Sequence, residues 1–123
     1  MSEEVQNRLQ QEVEKFRTVQ KDYQKALQQR QQLDAQLNEN TAVKQELDLL
    51  KSDADVYKLI GPVLIKQDLE EAKQNVAKRM DFIRNELKRT DDFIATLDKK
   101  QDTHREALNK LQQQFAQTQL KAS

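Results

Sequence analysis

The chain contains no cysteine and no tryptophan, and it has one glycine and one proline among 123 residues. Without cysteine there is no disulfide framework and no thiolate metal site. A single glycine leaves no phosphate-cradling loop and too few turns for an all-β domain. Excess charge of one sign is also missing, since 21 Lys and Arg balance 21 Asp and Glu. A zero net charge exerts no long-range pull toward nucleic acid or an anionic membrane. No apolar run approaches the roughly 18 residues that a membrane span needs. No basic segment precedes a short apolar stretch, as it would in a secretory signal. The expected compartment is therefore cytoplasmic, with no membrane partner.

Hydrophobic residues make up 36% of the chain and charged residues 34%. Disordered chains of such polarity are usually rich in proline and glycine or carry a high net charge, and this one does neither. Gln, Glu, Lys, Leu, Ala and Asp dominate, and most of them favour helix. The composition fits long helices or a coiled coil, which bury a narrow stripe and need few apolar residues to do so.

Three segments follow from the patterning. From about residue 3 to 53 there is neither glycine nor proline. Val5, Leu9, Val13, Phe16, Val19, Tyr23, Ala26, Leu33, Leu37, Val43, Leu47, Leu50 and Ala54 recur mostly at steps of three or four, a coiled-coil seam. Arg30 and Asn40 stand where the rhythm would place apolar residues, either fixing register or loosening the packing. Consecutive three-residue steps near Phe16 and Asn40 would overwind the coil. From about residue 69 to 119, Val76, Met80, Ile83, Leu87, Thr90, Ile94, Leu97, Gln101, His104, Leu108, Leu111, Phe115 and Thr118 alternate steps of four and three. Asp68 with Glu71 three residues later reads as an N-cap and capping box. Residues 55–67 are the only dense apolar segment, β-branched and centred on Gly61–Pro62: a strand, a two-residue turn and a strand. Glycine in first place suits a type II′ turn.

The expected fold is all-α dominated: one domain over residues 1–123, an antiparallel two-helix coiled coil with a central β-hairpin. Each arm has roughly 51 residues, about 75 Å at 1.5 Å per residue. With the turn centred on Gly61–Pro62, residue i should face a residue near 123 minus i. That rule pairs Leu33 with Thr90, Leu37 with Leu87, Val43 with Met80 and Leu47 with Val76.

If Ile60 pairs with Val63, then Val56, Ile60, Val63 and Ile65 share one hairpin face and Tyr57, Leu59 and Leu64 the other. Both faces are apolar, the mark of a strand covered on two sides. The helices leave from one end and point away, so they cannot cover both. At roughly 1.5–3 kcal/mol per large aliphatic side chain, these seven residues represent about 10–20 kcal/mol of gross burial without an intrachain partner. Hairpins from several subunits pairing edge to edge into a sheet or barrel would satisfy edges and faces together. Residues 56, 57, 59 and 60, the Gly61–Pro62 turn, and residues 63–65 are thus the candidate oligomerisation site. A hairpin folded back on its own helices is the competing expectation.

Helix, hairpin and helix with equal coiled-coil arms resembles the beta-class prefoldin subunits. The resemblance is carried by Glu46-Leu47-Asp48-Leu49-Leu50, by the run from Val56 through Gly61-Pro62 to Asp68, and by Leu69-Glu70-Glu71-Ala72, Asn75-Val76 and Lys78-Arg79. The architecture matches over the whole chain, but the specific residues lie in its central third. The resemblance implies a hetero-hexamer of two alpha-class and four beta-class subunits, with a β-barrel platform from which coiled coils hang as tentacles. It also implies ATP-independent capture of unfolded polypeptides, such as actin and tubulin, and their delivery to the group II cytosolic chaperonin.

The helix ends furthest from the hairpin carry Val5, Leu9, Val13 and Phe16 on one arm and Leu108, Leu111, Phe115 and Leu120 on the other. Terminal turns of a coiled coil fray, and many weak, non-directional apolar contacts suit a client of no fixed shape. These eight are the candidate client-binding residues; the other role open to them is to finish the coil. The glutamine clusters at Gln28-Gln29, Gln31-Gln32 and Gln112-Gln113-Gln114 read as solvated helix faces.

No cofactor or metal is expected. His104 is the only histidine and reads as a tolerated polar seam residue, since one histidine makes no metal site. Asp53, Asp55, Asp91 and Asp92 have no closed pocket to tune them for acid–base work, so no enzyme is expected. Lys78-Arg79, Lys88-Arg89 and Lys99-Lys100 are interleaved with acids and read as helix faces forming i,i+4 pairs, with no aromatic support for nucleic acid. A structural coiled-coil adaptor or tether is the alternative function, although a tether needs only a polar turn between its helices.

Overall fold

The computed structural model describes residues 2–122. The element order is α1 (Ser2–Leu49), β1 (Val56–Ile60), β2 (Val63–Gln67) and α2 (Leu69–Ala122). Both helices run unbroken because no glycine or proline falls inside either. Their first turns carry Glu3, Glu4, Glu70 and Glu71, which complement the positive end of the helix dipole. The Asp68 carboxylate accepts a hydrogen bond from the Glu71 backbone N–H at 3.2 Å, and its carbonyl accepts one from Ala72 N–H at 2.9 Å. Asp68 therefore caps α2 from the position its sequence indicated.

The start of α1 is as patterned, but its end is not. It stops at Leu49 rather than near Asp53, and α2 continues to Ala122 rather than about 119. The Ala54 N–H bonds to Lys51 O at 3.0 Å, folding Lys51–Ala54 into a turn. Ser52 and Asp53 are turn formers whose side chains compete for backbone partners. No basic side chain lies in the last turn of α1 to offset its carbonyls. Leu50, expected in the seam, is consequently exposed, as is Leu49.

Residues 30–89 form one compact unit. Its core is Leu47 with Leu69, Ala72, Val76 and Met80, against which Leu37 and Val56 pack. Leu47 and Val76 share this cluster, as the hairpin-centred rule expects. Asn40 does not follow the rule: its Oδ1 accepts a bond from Arg79 Nη1 at 3.4 Å, about one helical turn from position 83. The cause is unequal connections. Residues 50–55 separate α1 from β1, whereas Asp68 alone separates β2 from α2. Val43 is also displaced: expected in the seam opposite Met80, it is 48% exposed while Met80 is buried. It lies beside the irregular step at Asn40, where the apolar rhythm slips and rotates it to the flank.

Residues 2–29 and 90–122 belong to the second unit. There Leu97 packs with Val19 and Ala26, and Tyr23 and Ile94 pack against them. Every seam position read from α2 in this unit, from Thr90 through Thr118, is buried or half-buried. Exposed positions between them carry i,i+3 ion pairs such as Arg105–Asp102 at 3.1 Å. Such surface pairs add little stability each.

The hairpin has the expected register: Ile60 opposite Val63, Leu59 opposite Leu64, and on to Val56 opposite Gln67. Gly61 has φ +56°, and no non-glycine residue among those described has positive φ. A positive φ at the first central position only is the sign pattern of a type II′ turn. No atom lies within 4 Å of the Cβ that an added methyl would occupy, so substitution there is opposed by conformation alone. Gly61→Ala should lower stability by about 1–2 kcal/mol, the cost of the left-handed region for an L-residue. This would be read as a reduced denaturation midpoint, with a smaller loss for Gly61→Asn.

Candidate functional site

The two candidate sites occupy different units. The first is the hairpin. Tyr57, Leu59, Ile60, Val63, Leu64 and Ile65 are all exposed, with Leu59 at 67% and Leu64 at 64%. Only Val56 reaches the chain's own core. Ile60, Val63 and Ile65 lie on the face that Val56 shares; Tyr57, Leu59 and Leu64 lie on the other. Neither face is covered, so the hairpin does not fold back on its helices. Lys58 and Lys66 are the cations on the strands, and Lys66 pairs with Asp55 at 3.3 Å.

The second candidate site is the set of helix termini. Leu9, Val13, Phe16, Leu108, Leu111 and Phe115 are half-buried. Val5 is buried at 9% and Leu120 is exposed at 75%. Val5 is thus a seam residue in the closed state, and only local opening would present it.

Polar side chains link the helices near these residues. His104 Nδ1 lies 2.9 Å from Glu12 Oε2. The carboxylate oxygen accepts, so Nδ1 carries the proton. Lys15 also approaches Glu12 at 3.7 Å, and the Arg105 guanidinium sits 5.8 Å from the Phe16 ring centroid, within cation–π range. Sequence reading placed His104 in the seam but found no partner for it. Glu12 precedes the seam residue Val13, and only the observed register aligns it with His104. Arg79 was likewise read as a solvated basic face, yet it bonds across to Asn40. Arg30 bonds along its own helix to Asp34 at 2.7 Å. Phe82 and Phe93, which the seam pattern passes over, are exposed.

Among the described residues no group of three or more His, Cys, Asp or Glu could hold a metal ion. No helix among them is long and apolar enough to cross a membrane. An open surface cleft of about 720 Å³ is lined by Arg17, Lys21, Tyr23, Lys25 and glutamines, without a carboxylate.

Two long helices that pair antiparallel within each unit and flank an uncovered apolar hairpin define a helix–hairpin–helix protein built to present surface. The family described as Prefoldin subunit matches residues 10–115. The mouse (Mus musculus) protein named Prefoldin subunit 6 is 47% identical over 119 residues, covering 97% of this chain and 94% of that protein. The Arabidopsis thaliana Prefoldin subunit 6 is 53% identical over 97 residues, covering 79% and 75%. The crystal structure of the prefoldin beta subunit from Thermococcus strain KS-1 aligns with a TM-score of 0.60, covering 90% of this chain and 91% of that one at 22% identity. The chain belongs to the prefoldin subunit family. It is a chaperone subunit and not an enzyme.

Proposed function

We propose that this chain is a beta-class subunit of a hetero-hexameric prefoldin, acting as a single prefoldin-type domain in the cytoplasm. Its hairpin joins alpha- and beta-class neighbours in a β-barrel platform. Its helix ends hold unfolded polypeptides, such as actin and tubulin, without ATP, and deliver them to the group II chaperonin. The observation that carries this reading is the hairpin, with six large apolar side chains exposed across both faces. An isolated two-stranded hairpin is marginal in water, and uncovered apolar edges aggregate unless paired. A neighbour's hairpin answers both. The half-buried apolar residues at the helix ends support the capture role, because contacts without direction suit clients without shape.

Native mass spectrometry of the tagged chain, purified gently from its own cells, tests the assembly. The expected result is a discrete hexamer whose other members are small helix–hairpin–helix proteins. A homodimer, or a complex with large folded partners and no related subunit, would overturn the reading in favour of a tether.

A further inference from the structure

Arg17, Lys21 and Lys25 stand at successive four-residue steps of α1, so they form one row along the helix. All three are exposed. They line the open cleft of about 720 Å³ together with half-buried Tyr23 and four glutamines, one of which is Gln101 of α2. Among the described residues no carboxylate forms an ion pair with any of the three. Other cations are matched along their own helix, as Arg8 is by Glu4, Arg30 by Asp34 and Arg84 by Asp81. Of the nearest acids in sequence, Glu14 and Asp22 line a different cleft, with Lys15, Lys100 and His104. A chain of zero net charge thus carries a local excess of one sign.

Two further features bear on what this row would hold. Four residues of helix advance about 6 Å. Alternate residues of an extended chain, whose side chains point the same way, advance about 6.5–7 Å. The cations are therefore spaced to meet carboxylates at every second position of an extended peptide. Arg17 also lines the adjoining cleft with Leu9, Val13 and Glu14. Leu9 and Val13 are candidate client-binding residues, so the cationic row begins where that apolar surface ends.

We infer that the Arg17–Lys21–Lys25 cleft holds an acidic stretch of an unfolded polypeptide, extended along α1 with its carboxylates on the three cations. The inference rests on the capture reading and adds to it a charge-selective contact beside the apolar one. A cleft lined by one sign of charge raises the local concentration of the opposite sign. Carboxylates that arrive there meet cations with no partner to displace. Glutamine amides both donate and accept hydrogen bonds, so they suit the backbone of a segment of any sequence. Nucleic acid is also a polyanion, but a single aromatic side chain is not the run of stacking platforms that unpaired bases use.

The test uses the complex purified from cells and a peptide of alternating glutamate and serine that carries p-benzoylphenylalanine and a fluorophore. The expected crosslinks map to residues 17–28 of this chain, and the affinity read by anisotropy falls as salt is raised. Arg17→Glu, Lys21→Glu and Lys25→Glu together should weaken the peptide roughly tenfold or more. The same three positions changed to Gln should weaken it less, and both variants should keep their helical circular dichroism, since the side chains are exposed. Suppression of aggregation of a denatured client poor in acidic residues should persist, because none of the eight apolar residues is altered. Crosslinks elsewhere, wild-type affinity in the glutamate variant, or equal binding of the lysine–serine peptide would overturn the inference. Tighter capture of a single-stranded oligonucleotide by the same residues would overturn it in favour of nucleic acid. If the wild-type complex suppresses aggregation but does not hold the peptide, the cleft assignment fails and the capture reading stands. If it does neither, the capture reading fails as well.

Discussion

Replacing Leu59, Ile60 and Leu64 together by glutamate releases the chain from its complex while its far-ultraviolet helical signal stays near the wild-type value. All three side chains are exposed in the chain by itself, so the new carboxylates remain in water and cost the fold little. Neither apolar cluster includes any of the three, so the helices keep the contacts that hold them. In an assembled platform the same carboxylates would be buried. Losing three aliphatic burials at roughly 1.5–3 kcal/mol each already approaches the about 8 kcal/mol of a micromolar contact. Desolvating three unpaired charges adds several kcal/mol more per ion. The expected effect is therefore complete loss of co-purifying subunits. Size-exclusion chromatography with native mass spectrometry reads the assembly, and circular dichroism reads the fold. Retention of the triple variant in a hexamer would refute assembly through the hairpin.

Trimming the termini gives the opposite separation. A chain lacking the segments through Phe16 and from Leu108 onward should still enter the complex, yet lose nearly all suppression of client aggregation. The deletion removes all eight candidate client contacts, together with Glu12, the partner of His104. It leaves Val19, Ala26 and Leu97 packed and does not touch residues 30–89, where the hairpin and its supporting cluster lie. The assay is light scattering of a denatured client diluted into equal concentrations of trimmed and full-length complex. Full protection by the trimmed complex would remove the helix ends from the capture mechanism. Leu120→Glu refines the test: Leu120 is the most exposed of the eight, so its charge changes the surface without disturbing the seam.

Features governed by local chemistry were legible in the sequence. The hairpin register follows from one two-residue turn in a doubly apolar run, and Asp68 caps α2 because carboxylates at that position accept N–H groups wherever they occur. The seam of α2 could be read from Val76 to Thr118 because its steps never break. Features that depend on how one helix meets the other were not legible. A coiled-coil pattern repeats every seven residues, so it matches a partner equally well when shifted. The shift was set by the loop at residues 50–55, whose Ser52 and Asp53 end α1 without any glycine or proline to announce it. The Glu12–His104 and Asn40–Arg79 bonds follow from that shift, and the exposure of Val43 goes with the slip in the apolar rhythm beside Asn40. The helix-end residues could be named as apolar seam, but their degree of cover depends on the same pairing. Hence Val5 is buried while Leu120 is not.

The spread of sequence separations between paired residues also sets an order of folding. Asn40 and Arg79 are 39 positions apart, whereas Glu12 and His104 are 92 apart. Each pair nearer the turn shortens the loop that the next pair must close, and closure entropy grows with loop length. The chain is therefore expected to close like a zipper, beginning beside the hairpin and proceeding outward. During synthesis α1 is made long before its partner, and its N-terminal turns wait for the last residues of the chain. The stretch that joins last has the fewest contacts behind it and reopens first. Hydrogen exchange should accordingly slow progressively from the termini inward. The ends proposed to hold a client are those whose own closure is completed last.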